Sequence, residues 1–445
     1  MVKKYNRRDF LKTTAATSAG LALSATAFSA KSYARILGSN DRVNFAVIGV
    51  RSRGAAHIAS IAVCSNAAVT YICDVDKREL DKAEQTTKKL FGQAAAREKD
   101  IRKLLESKDI DAITIATPEH WHAPMAIMGL QSGKHVYVEK PPSHNPAEGG
   151  LLLQAQAKYG LQVQMGNQQR SSIHTIEAMK KIKDGVIGKP YLGKAWYSNN
   201  RKSIGVGKQV PVPDYLDWEL WQGPAPRRPY KDNIHPYNWH WFWHWGTGET
   251  LNNGTHEVDL CLWALDVKYP QKVTASGGRY HFQDDWEFYD TMLTSYEYEG
   301  KMITWEGKSC NSMLYYGRGR GATIHGTEGT LLIDRNGYEI YNNDREKIFE
   351  FVKPEKDATT GLRGGGPMTD AHFQNFINAI TNGEKLNSPI TEGNISVTML
   401  QLSNIAWRTG RVLKLNPANG QIINAKLAMD TLWGREYEPG WELTV

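Results

Sequence analysis

The chain has 445 residues, with 54 Lys and Arg against 47 Asp and Glu and a formal net charge of +7. Six of the basic residues and one of the acidic residues lie in the first 34 positions, so the remaining 411 residues carry a net charge of only +2. This near-neutrality gives no support to a nucleic-acid partner, and the length allows two domains. The cysteines, at positions 64, 73, 261 and 310, are far apart, which indicates buried thiols rather than a disulfide framework or a zinc site.

The first 34 residues have the order of an export signal. The twin-arginine run Arg7-Arg8-Asp9-Phe10-Leu11-Lys12 precedes an apolar stretch, and small residues stand before Arg35 at the expected cleavage point. Residues 1–34 are therefore predicted to be a signal peptide read by the twin-arginine translocation machinery, which carries folded proteins. The prediction is a protein that is periplasmic or otherwise exported. No cysteine follows the apolar stretch and no later segment has the roughly 18 apolar residues of a membrane span, so no stable membrane anchor is expected.

The pattern of residues 35–165 predicts an NAD(P)-binding Rossmann domain. Short, continuous apolar runs alternate with helical segments, which is typical of strands buried on both faces of a parallel, doubly wound sheet. The predicted strands are Val43–Ile48, Ala68–Cys73, Ala112–Ala116 and His135–Val138, and the predicted helices are a stretch ending at Cys64, Lys77–Phe91 and Ala123–Ser132.

The character of the chain changes at about residue 166, and residues 166–445 are predicted to form a substrate-binding α/β domain with a C-terminal tail. Helical patterns at Ile173–Lys183 and Val258–Leu265 accompany strands whose apolar residues alternate. Such alternation indicates an open, largely antiparallel sheet with one face covered by helices. The predicted strands are Leu192–Asn199, Lys272–Tyr280, Tyr289–Tyr298, Lys301–Gly307, Ala322–His325 and Thr330–Asp334. The predicted fold class is α/β throughout.

The turn after the first strand lies where a dinucleotide fingerprint should be. Its first glycine would make the tight turn and its last would let the helix pack closely, with the helix N-terminus facing the pyrophosphate. Arg51 replaces the usual middle glycine and offers charge instead. Asp74 ends the second strand, where a carboxylate binds ribose hydroxyls and would repel a 2′-phosphate. NAD is therefore the predicted cofactor, with NADP less favoured, although a nearby arginine would weaken that preference. The predicted contacts in these two segments are Gly49, Arg51, Ser52, Arg53, Gly54 and Asp74.

Five motifs resemble the glucose–fructose oxidoreductase/inositol dehydrogenase (Gfo/Idh/MocA) family, and together they span essentially all of the chain after the signal. They are Thr117–His122, Gly133–Pro141, Gly254–Asp259, Ile324–Thr330 and Asn404–Arg411. The Glu139-Lys140-Pro141 context is the most specific of them. The resemblance implies a Rossmann domain and an α/β domain whose open sheet faces the cofactor, with a sugar or cyclitol bound between them. It also implies a homo-oligomer.

The same resemblance implies roles for individual residues. Lys140 matches the catalytic lysine and His256 matches the acid/base histidine. Oxidation of a carbinol needs a group that takes the hydroxyl proton and a cation that stabilises the developing alkoxide, so these roles agree with the chemistry. The family often has Asp four residues before this histidine, where this chain has Asn252. Asn252 is expected on the same helical face, bound to a substrate hydroxyl. The implied cofactor contacts are Thr117, Pro118, His120, His122, Glu139, Lys140 and Asn167.

Residues 237–249 are rich in tryptophan and histidine and directly precede the helix of the acid/base histidine. Sugars stack on indole rings and hydrogen-bond to imidazole, so the segment is predicted to rim the substrate cleft, with alternate rings facing it. Packing of these rings in a core is the alternative.

His240 and His244 have the spacing of a metal pair, but no acidic third ligand is spaced with them and no metal is predicted. Arg170 is a further cleft candidate, for which a salt bridge is at least as good a reading. The predicted substrate contacts are Arg170, Tyr197, Trp241, His244, Asn252 and His256.

Export constrains the mechanism, because there is no free NAD(H) pool outside the cytoplasm. A dissociable cofactor would be lost after one turnover, so NAD is predicted to be tightly held and recycled in place. The predicted function is an NAD(P)-dependent oxidoreductase acting on a secondary hydroxyl of a sugar or glycoside.

Two other functions remain open at this stage. One is a redox-neutral, NAD-retaining glycoside hydrolase that works through a transient keto-sugar. Relatives of that kind with twin-arginine signals tend to lack the lysine that this chain has at Lys140, which favours the oxidoreductase. The other is a catalytically silent sugar-binding protein, and intact Lys140 and His256 argue against it.

Overall fold

Six apolar segments form the first sheet of the computed structural model, which describes residues 42–352 and 365–445. The strands are β1 (Val43–Ile48), β2 (Ala67–Cys73), β3 (Ala96–Glu98), β4 (Ala112–Ile115), β5 (His135–Glu139) and β6 (Val163–Gly166). They pair in parallel in the order β3-β2-β1-β4-β5-β6. The predicted doubly wound parallel sheet is confirmed. The predicted signal peptide lies outside the described residues.

Helices connect these strands and cover both faces of the sheet. They are α1 (Ser52–Val63), α2 (Lys77–Phe91), α3 (Ile101–Leu104), α4 (His122–Gln131) and α5 (Pro146–Tyr159). Alternate residues of β1 enter two separate cores, Phe45 and Val47 on one face and Ala46 and Ile48 on the other, as the period of a strand requires. The strand order reverses between β1 and β4, so the carboxyl ends of these two strands open a crevice.

The second sheet is larger and mixed. Its strands are β7 (Pro190–Asn200), β8 (Lys272–Gly278), β9 (Thr291–Tyr298), β10 (Lys301–Lys308), β11 (Cys310–Asn311), β12 (Arg320–Gly326), β13 (Gly329–Ile333), β14 (Gly337–Asn342), β15 (Lys347–Val352) and β16 (Leu413–Lys414). The order is β15-β14-β13-β12-β7-β10-β9-β8-β16, with β11 paired to β7. All of these pairings are antiparallel except that of β7 with β10. The predicted, largely antiparallel sheet is therefore confirmed, with β14 and β15 extending it.

Later helices are divided between the two sheets. They are α6 (Ile173–Lys183), α7 (Trp218–Gln222), α8 (Gly248–Asn252), α9 (Gly254–Leu265), α10 (Pro367–Asn382), α11 (Ile390–Thr409) and α12 (Lys426–Leu432). Buried residues of α9 and α11 share one core with the second sheet. In contrast, α10 lies on the first sheet, where Phe373 meets Phe45 edge to face. In the described parts of the chain, no helix is both long and apolar enough to cross a bilayer.

The last residues of the chain, 433–445, return to the first domain. Trp441 packs edge-on against Trp121, with the ring centroids 5.1 Å apart. Arg435 Nε donates to the buried carboxylate of Glu148, near the start of α5, at 2.7 Å. The Rossmann domain is therefore completed by segments that come late in the sequence.

Residues 201–247, between β7 and α8, form a segment that we call the strap. Six of the 14 tryptophans lie in it, and several pack in a core of its own with Leu216 and Ile234. The strap crosses to the end of β2, where the backbone N–H of Asp217 donates to the Val75 carbonyl at 3.0 Å. The strap therefore joins the second domain to the first at the end of β2.

Two local predictions differ from the structure. The sequence predicts alternate rings along residues 237–249, whereas the segment contains a 3-10 helix, Asn238–Trp241, and turns. The sequence also predicts Asn252 and His256 on one helical face. In the structure, α8 ends at Asn252 and α9 begins at Gly254. The two side chains therefore belong to two successive helices.

Candidate active site

A cavity of about 500 Å³ lies where the carboxyl ends of β1, β4 and β5 face the second sheet. Crevices at the switch point of a parallel sheet are where α/β proteins bind ligands. The strap contributes to the wall through Trp221, His235 and Trp239. The predicted site residues that line the cavity are Gly49, Arg51, Ser52, Arg53, Asp74, Thr117, Pro118, His122, Glu139, Lys140, Tyr197, Asn252 and His256.

Two glycines build the turn between β1 and α1. Gly49 has a φ of +77°, and a Cβ there would lie 2.6 Å from the carbonyl oxygen of Ala116. A Cβ on Gly54 would lie 1.8 Å from the carbonyl oxygen of Gly49, so only glycine lets the helix begin this close to the strand. Ser52 and Arg53, in the first turn of α1, lie in the cavity wall, so the unpaired N–H groups of the helix start are next to the cavity.

Asp74 lies at the end of β2 and is held by the backbone. Its carboxylate accepts from the N–H of Val50 at 2.9 Å and from the N–H of Asp76 at 3.0 Å. Burial raises the pKa of Asp74 to about 6, although both N–H groups oppose the rise. The group is therefore mostly ionised at neutral pH and keeps lone pairs for further donors such as ribose hydroxyls.

Glu139 is a buried carboxylate whose charge is balanced within the protein. Its Oε1 lies 2.7 Å from Arg53 Nε, 3.0 Å from His57 Nε2 and 2.9 Å from Gln168 Nε2. Burial by itself would raise the pKa of Glu139, but Arg53 and His57 hold that pKa well below its usual range. Glu139 is therefore a permanent anion that orients its neighbours and does not exchange protons.

Lys140 follows Glu139 and lies in the cavity wall. Its Nζ donates to the backbone carbonyl of Asn252 and lies 3.3 Å from Asn252 Oδ1. Burial lowers the pKa of Lys140 to about 8, against the attraction of Glu139 and Glu119. Burial also raises the pKa of Glu119, which accepts from Thr247 Oγ1 at 2.5 Å, to about 7. A lysine with a pKa this close to neutrality can both stabilise negative charge and exchange a proton.

A chain of hydrogen bonds behind His256 fixes its tautomer. Asn167 Nδ2 donates to the Asp259 carboxylate at 2.7 Å, which leaves Asn167 Oδ1 facing His256 Nδ1 at 2.9 Å. Because an amide oxygen only accepts, Nδ1 carries the proton. Nε2 has no hydrogen-bond partner in the described part of the chain. Burial, with Arg335 and Lys140 nearby, keeps the pKa of His256 well below its usual range, so the imidazole is a neutral acceptor.

Arg170 is the last residue of this series of hydrogen bonds and does not line the cavity. Its Nε and Nη2 donate to the two carboxylate oxygens of Asp259 at 2.6 and 3.0 Å. Ser396 Oγ donates to the same carboxylate at 2.5 Å. Arg170 therefore forms a buried ion pair that orients Asp259. This is the salt bridge that the sequence analysis gives as the alternative to a cleft role for Arg170.

Two family models match this chain. Residues 43–167 match the oxidoreductase family's NAD-binding Rossmann fold, and residues 174–441 match its C-terminal alpha/beta domain. The chain belongs to the Gfo/Idh/MocA oxidoreductase family. The Rossmann match confirms the predicted NAD cofactor. Residues 4–24 match a twin-arginine translocation signal sequence, which confirms the prediction of export, while the cleavage point before Arg35 stays a prediction.

Curated relatives of this family carry the name glycosyl hydrolase family 109 protein. One from Shewanella pealeana is 29% identical over 210 residues, and one from Shewanella baltica is 31% identical over 209 residues. These alignments cover 44% and 43% of this chain and 46% of each relative. The chain therefore matches about half the length of the curated relatives.

Solved structures share the two-domain fold. The WlbA dehydrogenase from Bordetella pertussis, crystallised with NADH and UDP-GlcNAcA, has a TM-score of 0.62 at 21% identity, with 84% of this chain and 99% of that chain covered. The aldose-aldose oxidoreductase from Caulobacter crescentus has a TM-score of 0.62 at 16% identity, with 84% and 100% covered. At these identities the likeness establishes the fold.

The cavity fits the dinucleotide of the family. The glycine turn leaves the space that a Cβ would fill, and Asp74 keeps acceptor capacity at the end of β2. Arg51, at the position of the usual middle glycine, reaches the strap, where its Nη1 lies 3.4 Å from the carbonyl oxygen of Pro236. NAD would therefore be held by the turn, the start of α1 and Asp74.

Six predicted site residues do not line the cavity: Gly54, His120, Asn167, Arg170, Trp241 and His244. His120 Nε2 lies 3.0 Å from the carbonyl oxygen of Trp221, so it fastens the strap. Trp241 is 1% exposed and stacks on Trp286 with centroids 3.9 Å apart, which is the core packing left open by the sequence. His244 Nε2 lies 2.6 Å from the carbonyl oxygen of Pro226, so His244 makes a contact within the strap. In the described residues, no three metal-binding side chains gather.

The cavity also holds residues that the sequence analysis does not identify. They include Glu119, Gln169, Arg201, Arg320 and Arg335, whereas His240 belongs to the segment that the sequence predicts at the rim of the cleft. Arg201 had a signal, because it continues the alternation of Tyr197 and Asn199, and all three line the cavity. Arg320 begins β12 opposite Tyr197, and only the sheet pairing reveals that position.

Proposed function

We propose that the protein oxidises a secondary hydroxyl of a sugar or glycoside, with NAD held in the cavity as hydride acceptor. The proposal is carried by one observation: the neutral imidazole of His256 and the half-buried ammonium of Lys140 line the same cavity as the nucleotide turn. In the oxidation direction, the hydroxyl proton passes to His256 Nε2 while the hydride leaves the carbon, so the carbinol loses two electrons and becomes a ketone.

Lys140 would stabilise the oxygen at which negative charge develops. Its pKa of about 8 leaves it protonated at neutral pH, and a desolvated ammonium stabilises an alkoxide more strongly than water does. Asn252 holds Nζ through two oxygens. The side-chain amide of Asn252 would also lie close to a substrate hydroxyl. The sequence predicts this role for Asn252.

Asn167, Asp259 and Arg170 would act as positioning residues. Together they keep the proton on His256 Nδ1 and present Nε2 to the cavity. A histidine held in one tautomer is ready to accept a proton without rearrangement, which is how buried carboxylates assist catalytic histidines.

The strap supports a retained cofactor. It covers the end of β2 through the Lys77 N–H, which donates to the Tyr215 carbonyl at 2.9 Å, and through the Lys99–Asp217 ion pair at 2.8 Å. The guanidinium of Arg78 also lies 3.3 Å above the Tyr215 ring. We infer that NAD is enclosed in the cytoplasm before export and recycled in place, with a second carbonyl substrate taking back the hydride. The homo-oligomer stays a prediction.

The test begins with the protein purified without added nucleotide. We expect near-stoichiometric NAD in the supernatant after denaturation, and sugars titrated into the holoprotein to produce the near-ultraviolet absorbance of reduced nicotinamide. A protein that is empty and binds NAD weakly would contradict the retained cofactor. A full complement of NAD that no sugar or glycoside reduces would contradict the oxidoreductase.

A redox-neutral glycoside hydrolase is the second candidate, favoured by the name of the curated relatives. In that case the ketone would acidify the adjacent C–H, the aglycone would leave by elimination, water would add to the resulting enone, and the hydride would then return to the same sugar. Nitrophenyl glycosides distinguish the two. Release of nitrophenol without net reduced cofactor indicates the hydrolase, whereas net reduced cofactor without nitrophenol indicates the oxidoreductase.

A further inference from the structure

Two of the arginines in the cavity wall are already neutralised by the protein. Arg201 Nη2 donates to Glu249 Oε1 at 3.2 Å. Arg320 Nε and Nη2 donate to the two oxygens of Glu257 at 2.7 and 3.0 Å. Both glutamates are 1% exposed, so these ion pairs are closed and leave no net charge for a ligand.

Arg335 lies in the same wall without such a partner. It comes just after β13, and its guanidinium makes no hydrogen bond or ion pair within the described ranges. Burial, together with the charge of Arg320, lowers the pKa of Arg335 to about 9, because Glu257 only partly offsets them. A desolvated guanidinium without a counter-ion destabilises a fold, and its donors remain free for a ligand.

The position of Arg335 is at the catalytic end of the cavity. Among the charged groups, it is the one that most strongly lowers the pKa of His256, ahead of Lys140. The nucleotide turn and Asp74 belong to the first sheet, whereas Arg335 belongs to the second. The charge of Arg335 therefore acts on His256, and Arg53 at the start of α1 also lies close enough to lower the pKa of Arg335.

Gln169 is a second, independent sign of a ligand in the same cavity. It is 3% exposed and lines the cavity, yet neither Nε2 nor Oε1 has a hydrogen-bond partner among the described residues. Buried amides without partners are rare in folded proteins. The side chain offers two donors and an acceptor to a polar group in the cavity.

We propose that Arg335 and Gln169 form a subsite for an oxyanion of the substrate, so that the sugar is an acidic one bearing a carboxylate or a sulfate ester. The inference rests on the proposed function as a sugar-oxidising enzyme. A guanidinium pairs with two oxygens of such a group in one plane, and an amide N–H completes the contact. The charge of the substrate then balances that of Arg335.

The experiment compares matched sugars on the NAD-containing protein. Binding of methyl β-D-glucuronide is measured by calorimetry against methyl β-D-glucoside, and methyl galacturonide against methyl galactoside. A 6-sulfated methyl glucoside distinguishes a sulfate from a carboxylate. We expect the acidic member of at least one pair to bind about tenfold more tightly, the effect of one charged hydrogen-bonded pair. Equal binding in every comparison, or no binding by any probe, would overturn the subsite.

Variants separate this subsite from a structural or cofactor role. Arg335→Gln should abolish the preference, Arg335→Lys should keep part of it, and Arg97→Gln, on the far edge strand β3, should leave it unchanged. Bound NAD should stay stoichiometric in Arg335→Gln, and its melting temperature should hold or rise, because an unpaired buried charge has been removed. Loss of NAD or a lower melting temperature would assign Arg335 to the cofactor or the fold instead.

The outcomes also distinguish this inference from the proposed function. If neutral sugars reduce the bound NAD as well as acidic ones do, the oxidoreductase stands and the subsite fails. If acidic sugars bind preferentially through Arg335 but none reduces NAD or is cleaved, the subsite stands and the proposed function fails.

Discussion

The two ends of the cavity differ in how far the protein itself balances the charges of their side chains. At the nucleotide end, Glu139 accepts from three side chains, and two of them hold its pKa well below its usual range, so its charge is balanced within the protein. At the substrate end, Lys140 and Arg335 are half-buried cations, and within the described residues neither has a carboxylate in contact. The first end is preorganised for a ligand that does not change. The second end is incomplete until a substrate supplies negative charge.

Under the proposed function, this difference places the proton transfer among the groups whose protonation can change. Groups held by several partners keep one protonation state, as Glu139 does, and serve as scaffolding. Groups whose pKa lies close to neutrality, as those of Lys140 and Glu119 do, change protonation with modest changes around them. The following experiments either sharpen this contrast or break it.

The largest effect is expected from Lys140→Met. The variant should retain its NAD but reduce it about 10³-fold more slowly with the sugar that is active on the wild type, since it loses the charge that stabilises the alkoxide. Single-turnover absorbance measures the rate, and NAD content is the control. A variant that loses NAD instead would place Lys140 in the scaffold of the nucleotide end.

Asp259→Asn tests the tautomer of His256. An amide at residue 259 can turn its N–H₂ toward Asn167, which then presents Nδ2 to the imidazole and moves the imidazole proton to Nε2. We expect kcat to fall about 100-fold with little change in KM, as for other triads with the wrong tautomer. The ¹⁵N shifts of the imidazole should report the exchange. Unchanged shifts with a lower melting temperature would indicate a structural role only.

Asp74→Ala should weaken cofactor retention about 10- to 100-fold, because charged hydrogen bonds to the ribose are lost. NAD content after dialysis measures this, and catalysis with saturating added NAD should recover. Asp81→Ala, at an exposed position of α2, is the control. A variant that keeps all of its NAD would show that the turn and the strap suffice without this carboxylate.

The pH dependence of Lys140 has opposite signs for rate and stability. Above its pKa of about 8, the rate should fall about tenfold for each pH unit, since the ammonium is lost. Because this pKa lies below the ordinary 10.5, the unfolded chain binds more protons between these values, and folding stability should rise with pH there. The difference in melting temperature between wild type and Lys140→Met isolates this effect. A rate that is flat up to pH 10 would contradict an essential ammonium.

The smallest effect concerns two histidines of the strap. His240 lines the cavity, with Nδ1 2.7 Å from the Tyr237 carbonyl, whereas His244 does not line it. His240→Ala should raise KM about fivefold by removing one hydrogen bond to the sugar, and His244→Ala should leave KM unchanged. Equal effects would mean that the histidines act only through the strap.

Much of the fold, and the pair of residues proposed to be catalytic, can be predicted from the sequence. Apolar runs such as β1 and the alternation in β9 are local patterns, so the two sheet types are readable without the structure. Lys140 and His256 stand in family motifs, and the structure places both in one cavity. The short strand β3 and the last two strands at one side of the second sheet, β14 and β15, lack a strong pattern of their own.

The rest depends on contacts between distant residues. Arg335 and Gln169 are 166 positions apart, and nothing local distinguishes Arg335 from any charged residue after a strand. Composition also misleads in the strap: Trp241 is buried against Trp286, while the neighbouring His240 reaches the cavity. Which ring of an aromatic run faces a ligand is decided by the turn geometry of residues 237–249 and not by its content.

The return of late segments to the first domain has a consequence for biosynthesis. Thr369, in α10, lies in the cavity wall, and Trp441 packs on Trp121 beside the crevice. A ribosome would have synthesised the nucleotide turn long before these segments emerge, so the pocket closes only when translation is nearly over. Stable binding of the coenzyme would then have to wait until folding of the whole chain is nearly complete.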